Sequence, residues 1–104
     1  MKNLYSGIPA DLPEELIENL AGSANVRIER IISRGHATPP GKWYDQDRDE
    51  FVVLLQGAAQ LEWDGGQETR LKPGDWMVIP ARRRHRVNGT AEGEDTVWLT
   101  VHFK

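Results

Sequence analysis

Short strand patterns separated by turn residues dominate the chain from Asn25 onward, and they constrain the fold more than any other feature. Apolar residues there recur at every second position or in short runs, and turn dipeptides follow about every eight to ten residues. This pattern is typical of an all-β sandwich or barrel. It predicts strands at residues 26–34, 42–44, 50–56, 58–63, 68–71, 76–79, 85–88 and 96–103. We expect the last strand to pair with the first and close the sheet.

Two turn sequences predict that the central strands form an antiparallel meander. Asp64-Gly65-Gly66 favours a tight hairpin, and Lys72-Pro73-Gly74-Asp75 favours a type I or type II turn.

The start of the chain has a different pattern. Leu12, Leu16 and Leu20 lie four residues apart with acidic residues between them, and Asp11 is placed to cap a helix. This spacing predicts a short N-terminal helix. We expect residues 1–24 to form a helical segment that packs on a β-barrel of residues 25–104, as one domain.

Composition narrows the chemistry. A chain of 104 residues has the size of one small domain, and without cysteine any bound metal must be held by nitrogen and oxygen. The longest apolar run has five residues, at Phe51 to Leu55, and no secretory signal is visible, so we expect a cytoplasmic protein and no membrane partner. The net charge of −3 gives no general attraction to nucleic acid.

Glu50 is the unusual residue of the most hydrophobic predicted strand. It shares a strand face with Val52 and Leu54, and a carboxylate beside core positions needs a partner. Two interpretations are open: an ion pair with Arg or Lys at the rim, or a metal ligand or acid–base group.

The spacing around Glu50 carries a family resemblance. Gly57 follows Glu50 after six residues, and Gly74 is followed after five residues by Pro80, which is followed after four residues by His85. This resembles the cupin superfamily, whose motifs are G-x5-H-x-H-x3-4-E-x6-G and G-x5-P-x-G-x2-H-x3-N. The resemblance, to small single-domain cupins of the cupin 2 conserved-barrel type, implies a double-stranded β-helix, or jelly roll, of the RmlC-like kind.

The chain departs from both motifs. Arg82 replaces the middle glycine of the second motif, and Asn88 comes one residue early. The paired histidines of the first motif are missing: depending on the spacing, their positions hold Trp43 and Asp45, or Tyr44 and Gln46.

In metal-binding cupins the motif His and Glu side chains converge on one divalent ion inside the barrel. The resemblance therefore implies Glu50 and His85 as metal ligands, with Asp45 as a chemically plausible third, for Mn, Fe or Ni and less typically Zn. His102 and His36 are weaker candidates, because His102 lies on a strand face that could equally meet solvent and His36 fits a simple loop residue.

Aromatic and basic residues near the motifs suggest an organic ligand. Trp43 stands at or beside a motif histidine position, and with Tyr44 it could wall a small molecule, although core packing is the ordinary role of such rings. The arginines around His85 could pair with the acidic residues 45–50 at the rim, or Arg82 or Arg84 could bind an anionic group. They lack the stacking aromatics of a nucleic-acid site.

Two functions are compatible with these residues. One is an enzyme, a metal-dependent oxygenase, isomerase or lyase, and the other is a binding protein that holds a small molecule without metal or reaction. Small cupins commonly pair, so the resemblance also implies a homodimer, for which Val97, Leu99, Val101 and Phe103 or the N-terminal strand could supply the contact.

Overall fold

The computed structural model describes all 104 residues, and it contains eight β-strands joined by turns and loops, without a helix. No helix with the length and apolarity needed to cross a membrane is present. The strands are β1 (Leu16–Ser23), β2 (Val26–Ser33), β3 (Asp49–Gln56), β4 (Ala59–Trp63), β5 (Glu68–Leu71), β6 (Trp76–Ile79), β7 (His85–Thr90) and β8 (Thr96–Phe103).

The strands form two sheets around one core. One sheet has the order β1-β2-β8-β3-β6 and the other the order β5-β4-β7, and every pairing is antiparallel. Strand β8 lies in the middle of the larger sheet, where it pairs with β2 from Val26↔Phe103 to Ser33↔Thr96. The expected pairing of the first and last predicted strands is therefore confirmed, but it does not close the sheet, whose edges are β1 and β6. The core between the sheets contains Val52, Leu54, Ala59, Leu61, Trp63, Leu71, Ile79 and Trp98.

The predicted N-terminal helix is wrong, because this part of the chain contains strand β1. Its backbone pairs with β2 from Leu16↔Ile32 to Ser23↔Val26, with a bulge between Asn19 and Ala21. Leucines four residues apart also satisfy a period of two, and a helix of two or three turns is marginal without tertiary support. Pairing with the edge of β2 supplies backbone hydrogen bonds between Leu16 and Ser23, so the strand is favoured there.

The residues before β1 are held on the larger sheet by two arginines of β2 and its end. Arg30 is 5% exposed, and its Nη1 donates to the carbonyls of Leu4 at 3.0 Å and Ser6 at 2.6 Å. Arg34 likewise donates to the carbonyls of Pro9 and Ala10. These guanidinium groups thus supply hydrogen bonds to backbone carbonyls in a segment that has no pairing with a strand.

The buried face of the larger sheet carries polar as well as apolar side chains. On β8, Trp98, Thr100 and His102 are buried, whereas Leu99 and Val101 on the opposite face are half-buried. This opposite face continues across β3 to β6, where Phe51 stacks on Trp76 with ring centroids 5.4 Å apart and Trp76 is 63% exposed. The sheet therefore has an apolar outer face as well as a mixed inner one.

Two motif glycines, Gly74 and Gly57, allow the chain to turn or to pass close to another strand. The Asp75 amide donates to the Lys72 carbonyl at 3.0 Å and Gly74 has a φ of +92°, which makes this predicted turn type II. Gly57 has a φ of +88°, and a Cβ there would lie 2.7 Å from the Cα of Thr96. The chain can pass β8 at this point only because residue 57 has no side chain.

The predicted short strand at 42–44 is reduced to one bridge, Tyr44↔His85. The nearby loop holds Arg82, the residue at the motif's glycine position, in the left-handed region with a φ of +69°. Its amide donates to the Gln46 carbonyl at 2.7 Å, which ties the two motif loops together.

Candidate functional site

A cavity of about 400 Å³ lies between the sheets at the end where the two motif loops meet. Its volume is in the range of small-molecule sites, about 300–1,000 Å³. Half of its sixteen lining residues are hydrophobic. The other eight are polar or charged: Glu15, Arg27, Glu29, Gln46, Glu50, His85, Thr100 and His102.

Glu50 is the buried carboxylate of this cavity. It begins the core-facing alternation of β3, opposite Ile79 on β6 and His102 on β8, and its side chain is 12% exposed. Its Oε1 accepts a long bond of 3.4 Å from Gln46 Nε2, and no Lys or Arg forms an ion pair with it. Burial raises the pKa of Glu50 to about 7, and this outweighs the Gln46 bond.

His85 faces Glu50 from β7. Its Nδ1 lies 2.8 Å from the Arg83 carbonyl, which can only accept, so Nδ1 carries the hydrogen. Burial lowers the pKa of His85, and the ring is therefore neutral at pH 7 with a lone pair on Nε2. The rings of Tyr44 and Trp63, with centroids 5.5 and 5.7 Å away, pack against the imidazole.

The two groups form an acceptor pair. His85 Nε2 lies 3.8 Å from Glu50 Oε1, which is too long for a direct hydrogen bond. When Glu50 is ionised, both atoms are acceptors without a donor between them. An ammonium nitrogen about 3 Å from each could donate to both, and a hydroxyl there could donate to one of them, so the pair suits a hydrogen-bond donor or a cation.

A second polar group lies on the neighbouring strands of the same cavity. His102 Nε2 is 3.4 Å from Glu29 Oε1, and Arg27 Nε is 3.1 Å from Glu29 Oε2. Burial lowers the pKa of His102, with the Arg27 charge as the next cause. The buried Nδ1 of His102 and Oγ1 of Thr100 have no hydrogen-bond partner.

The structure brings together some of the predicted metal ligands and separates others. Glu50, His85 and His102 line the cavity. Asp45 is outside the lining, with Oδ1 3.4 Å from Arg82 Nη1, and His36 lies in a distant loop where Nδ1 accepts from the Arg34 amide. No group of three or more His, Asp or Glu side chains has the arrangement of a metal site. The side chains of the cavity therefore offer fewer donors than a metal centre formed by protein ligands alone.

Only one predicted ligand-binding residue, Tyr44, lines the cavity. The guanidinium carbon of Arg84 lies over the Trp43 ring, 5.6 Å from the ring centroid. Arg84 Nη1 also pairs with Asp64 Oδ2 at 3.1 Å. Arg82 pairs with Asp45, as the rim interpretation expects. The aromatic and basic residues of the rim thus mostly bind one another.

Five polar lining residues were not among the predicted site residues: Glu15, Arg27, Glu29, Gln46 and Thr100. Thr100 shares a strand face with His102, which is a signal the sequence contains. Arg27 and Glu29 enter through the register Arg27↔His102 and Glu29↔Thr100, which no local pattern specifies.

Comparison with known proteins agrees with this architecture. A sequence profile described as Cupin domain matches residues 31–102, more than half of the chain. No curated protein matches the sequence.

Solved structures give the same fold. A proposed mannose-6-phosphate isomerase from Ralstonia eutropha is 44% identical, with a TM-score of 0.95 over 100% of this chain and 97% of that protein. A cupin superfamily protein from Desulfitobacterium hafniense is 25% identical, with a TM-score of 0.76 over 92% of this chain and 83% of that one. An RmlC-like cupin from Desulfovibrio desulfuricans is 20% identical, with a TM-score of 0.76 over 98% and 94% of the two chains.

Proposed function

The chain belongs to the Cupin domain family, and on that premise we propose that it binds a small organic molecule in the barrel cavity, held by Glu50 and His85. The observation that carries this proposal is the acceptor pair. A buried carboxylate without a cationic partner is costly to keep, and a ligand donor between Glu50 Oε1 and His85 Nε2 would offset that cost.

The rest of the cavity suits the apolar body of such a molecule. Ile31, Val52, Leu61, Val87 and Trp98 surround the polar pair. This is the usual division of a small-molecule site, in which apolar walls supply affinity and a few polar atoms fix orientation.

A ligand screen tests the proposal. Cyclic alcohols and amines should raise the melting temperature of the wild-type protein, and Glu50→Gln should weaken their binding at least tenfold. Asp45→Asn is the matched control, because it makes the same carboxylate-to-amide change outside the cavity lining. Equal binding by wild type and Glu50→Gln would remove Glu50 from the site.

An isomerase is the second candidate function. Glu50, with a pKa of about 7, is suited to take and return a proton at neutral pH, and the Ralstonia relative is described as a proposed mannose-6-phosphate isomerase. We would measure deuterium incorporation from heavy water into mannose and into mannose 6-phosphate. Incorporation that Glu50→Gln abolishes supports this candidate, and no incorporation into either sugar removes it.

A divalent metal is implied by the family resemblance and needs its own test. Glu50 and His85 would hold the ion, which would polarise a ligand oxygen, and further donors would have to come from water or ligand. If Glu50 and His85 hold such an ion, elemental analysis of protein purified without chelator finds Mn, Fe, Ni or Zn near one equivalent, reduced by Glu50→Gln and unchanged by Asp45→Asn. Protein that contains none of these metals and takes none up on soaking would exclude a metal cofactor.

A further inference from the structure

The charged side chains of the cavity are mostly acidic. Glu15, Glu29 and Glu50 are three carboxylates of the lining, and Arg27 is its one guanidinium. The two histidines of the lining add no charge at pH 8, which lies well above the ordinary pKa of an imidazole. A molecule that enters the cavity therefore meets a surplus of negative charge.

The one guanidinium of the cavity lies beside a carboxylate. Arg27 Nε is 3.1 Å from Glu29 Oε2, and the Arg27 side chain is 42% exposed. The negative charge of Glu29 offsets the attraction that Arg27 would exert on a ligand anion. The ionised carboxylate of Glu50, at the buried end of the cavity, would also repel a ligand anion.

The arginines of the neighbouring rim do not compensate, because none of them lines the cavity. Arg82 and Arg84 pair with Asp45 and Asp64. Arg83 stacks on the Trp63 ring, with its guanidinium carbon 3.8 Å from the ring centroid. No cluster of free guanidinium groups faces the space where a phosphate or carboxylate would bind.

We propose that the cavity selects uncharged or cationic molecules that carry a hydroxyl or ammonium donor, and that it rejects anions, phosphorylated sugars included. The donor group lies between Glu50 Oε1 and His85 Nε2. The Tyr44 ring beside His85 adds a face that attracts an ammonium group. This inference rests on the proposed function, because it names the ligand class of the same cavity.

Titration calorimetry with compounds that share one ring tests the selection. Cyclohexylamine, cyclohexanol and cyclohexanecarboxylate differ only in the polar group, and glucose with glucose 6-phosphate gives a second pair. The protein is used at pH 8 with chelator present, so that Glu50 is ionised and no metal bridges an anion. We expect the amine to bind at least tenfold tighter than the carboxylate, with the alcohol between them, and glucose to bind tighter than its phosphate.

Variants then assign the selection to Glu50. Glu50→Gln should reduce the preference for amine over carboxylate to less than threefold, and Asp45→Asn should leave it unchanged. A carboxylate or phosphate that binds as tightly as its neutral or cationic counterpart, and moves the His85 imidazole resonances in NMR spectra, would overturn the charge inference while leaving the cavity as a ligand site. If no compound binds, the proposed function fails and this inference fails with it.

Discussion

The pH dependence of stability gives the sharpest test of how Glu50 is held. Burial raises the pKa of Glu50 from 4.5 to about 7, so the folded protein binds this proton more tightly than the unfolded chain does. The resulting stabilisation is complete below pH 4.5 and is lost as the pH rises through 7. At about 1.4 kcal/mol per unit, the loss amounts to about 3 kcal/mol.

Glu50→Gln removes this titration while keeping the size and polarity of the side chain. We therefore expect the free energy of unfolding of the variant, relative to wild type, to increase by about 3 kcal/mol between pH 4 and pH 8. Urea unfolding at several pH values measures both proteins, and contributions from His85 and His102 largely cancel in the difference.

Asp45→Asn is the control for this measurement, because Asp45 is half exposed and pairs with Arg82 at the rim. The free energy of unfolding of Asp45→Asn, relative to wild type, should change by no more than about 0.5 kcal/mol across the same pH range. A flat curve for Glu50→Gln would refute the reasoning, because it would mean that Glu50 titrates in the folded protein as it does in the unfolded chain.

Three further predictions concern the fold and its outer face. Gly57→Ala should lower the free energy of unfolding by about 2–4 kcal/mol, because a Cβ there overlaps Thr96, and retention of wild-type stability in urea would contradict the close approach. Arg82→Gly should raise the free energy of unfolding by about 0.5–1 kcal/mol, because Arg82 has a positive φ, which glycine adopts without strain. A clear loss of stability would show that the exposed ion pair of Arg82 with Asp45 contributes more than this strain costs. The homodimer implied by the family resemblance has an apolar outer face to use, so light scattering should find a dimer that Trp76→Arg converts to monomer, and a wild-type monomer would refute this.

Much of the fold could be predicted because alternation and turn residues act locally. The strands from Val26 onward follow from apolar residues at every second position, and the turn at Lys72–Asp75 from its proline and glycine. The N-terminal segment could not be assigned in this way. Its leucine spacing fits both a helix and a strand, and only the free edge of β2, formed elsewhere in the chain, decides between them.

The candidate site was predicted where motif spacing and strand register coincide. Glu50 and His85 face one cavity because each lies in the first two residues of its strand, at the same end of the barrel. Asp45 and Gln46 are neighbours in one loop, and the path of that loop places Gln46 in the cavity and Asp45 at the rim. Such a path depends on contacts such as the Gln46 carbonyl with the Arg82 amide, which sequence periodicity does not encode.

The most direct test of the account is the nitrogen NMR spectrum of the His85 imidazole with and without a saturating amine or alcohol ligand. The structure predicts a neutral ring protonated on Nδ1, whose Nε2 resonance shifts when the ligand donates to it, while the Nδ1 resonance keeps its value. A ligand that stabilises the protein but leaves Nε2 unmoved, or a ring protonated on Nε2 instead, would contradict the claim that Glu50 and His85 together hold the ligand.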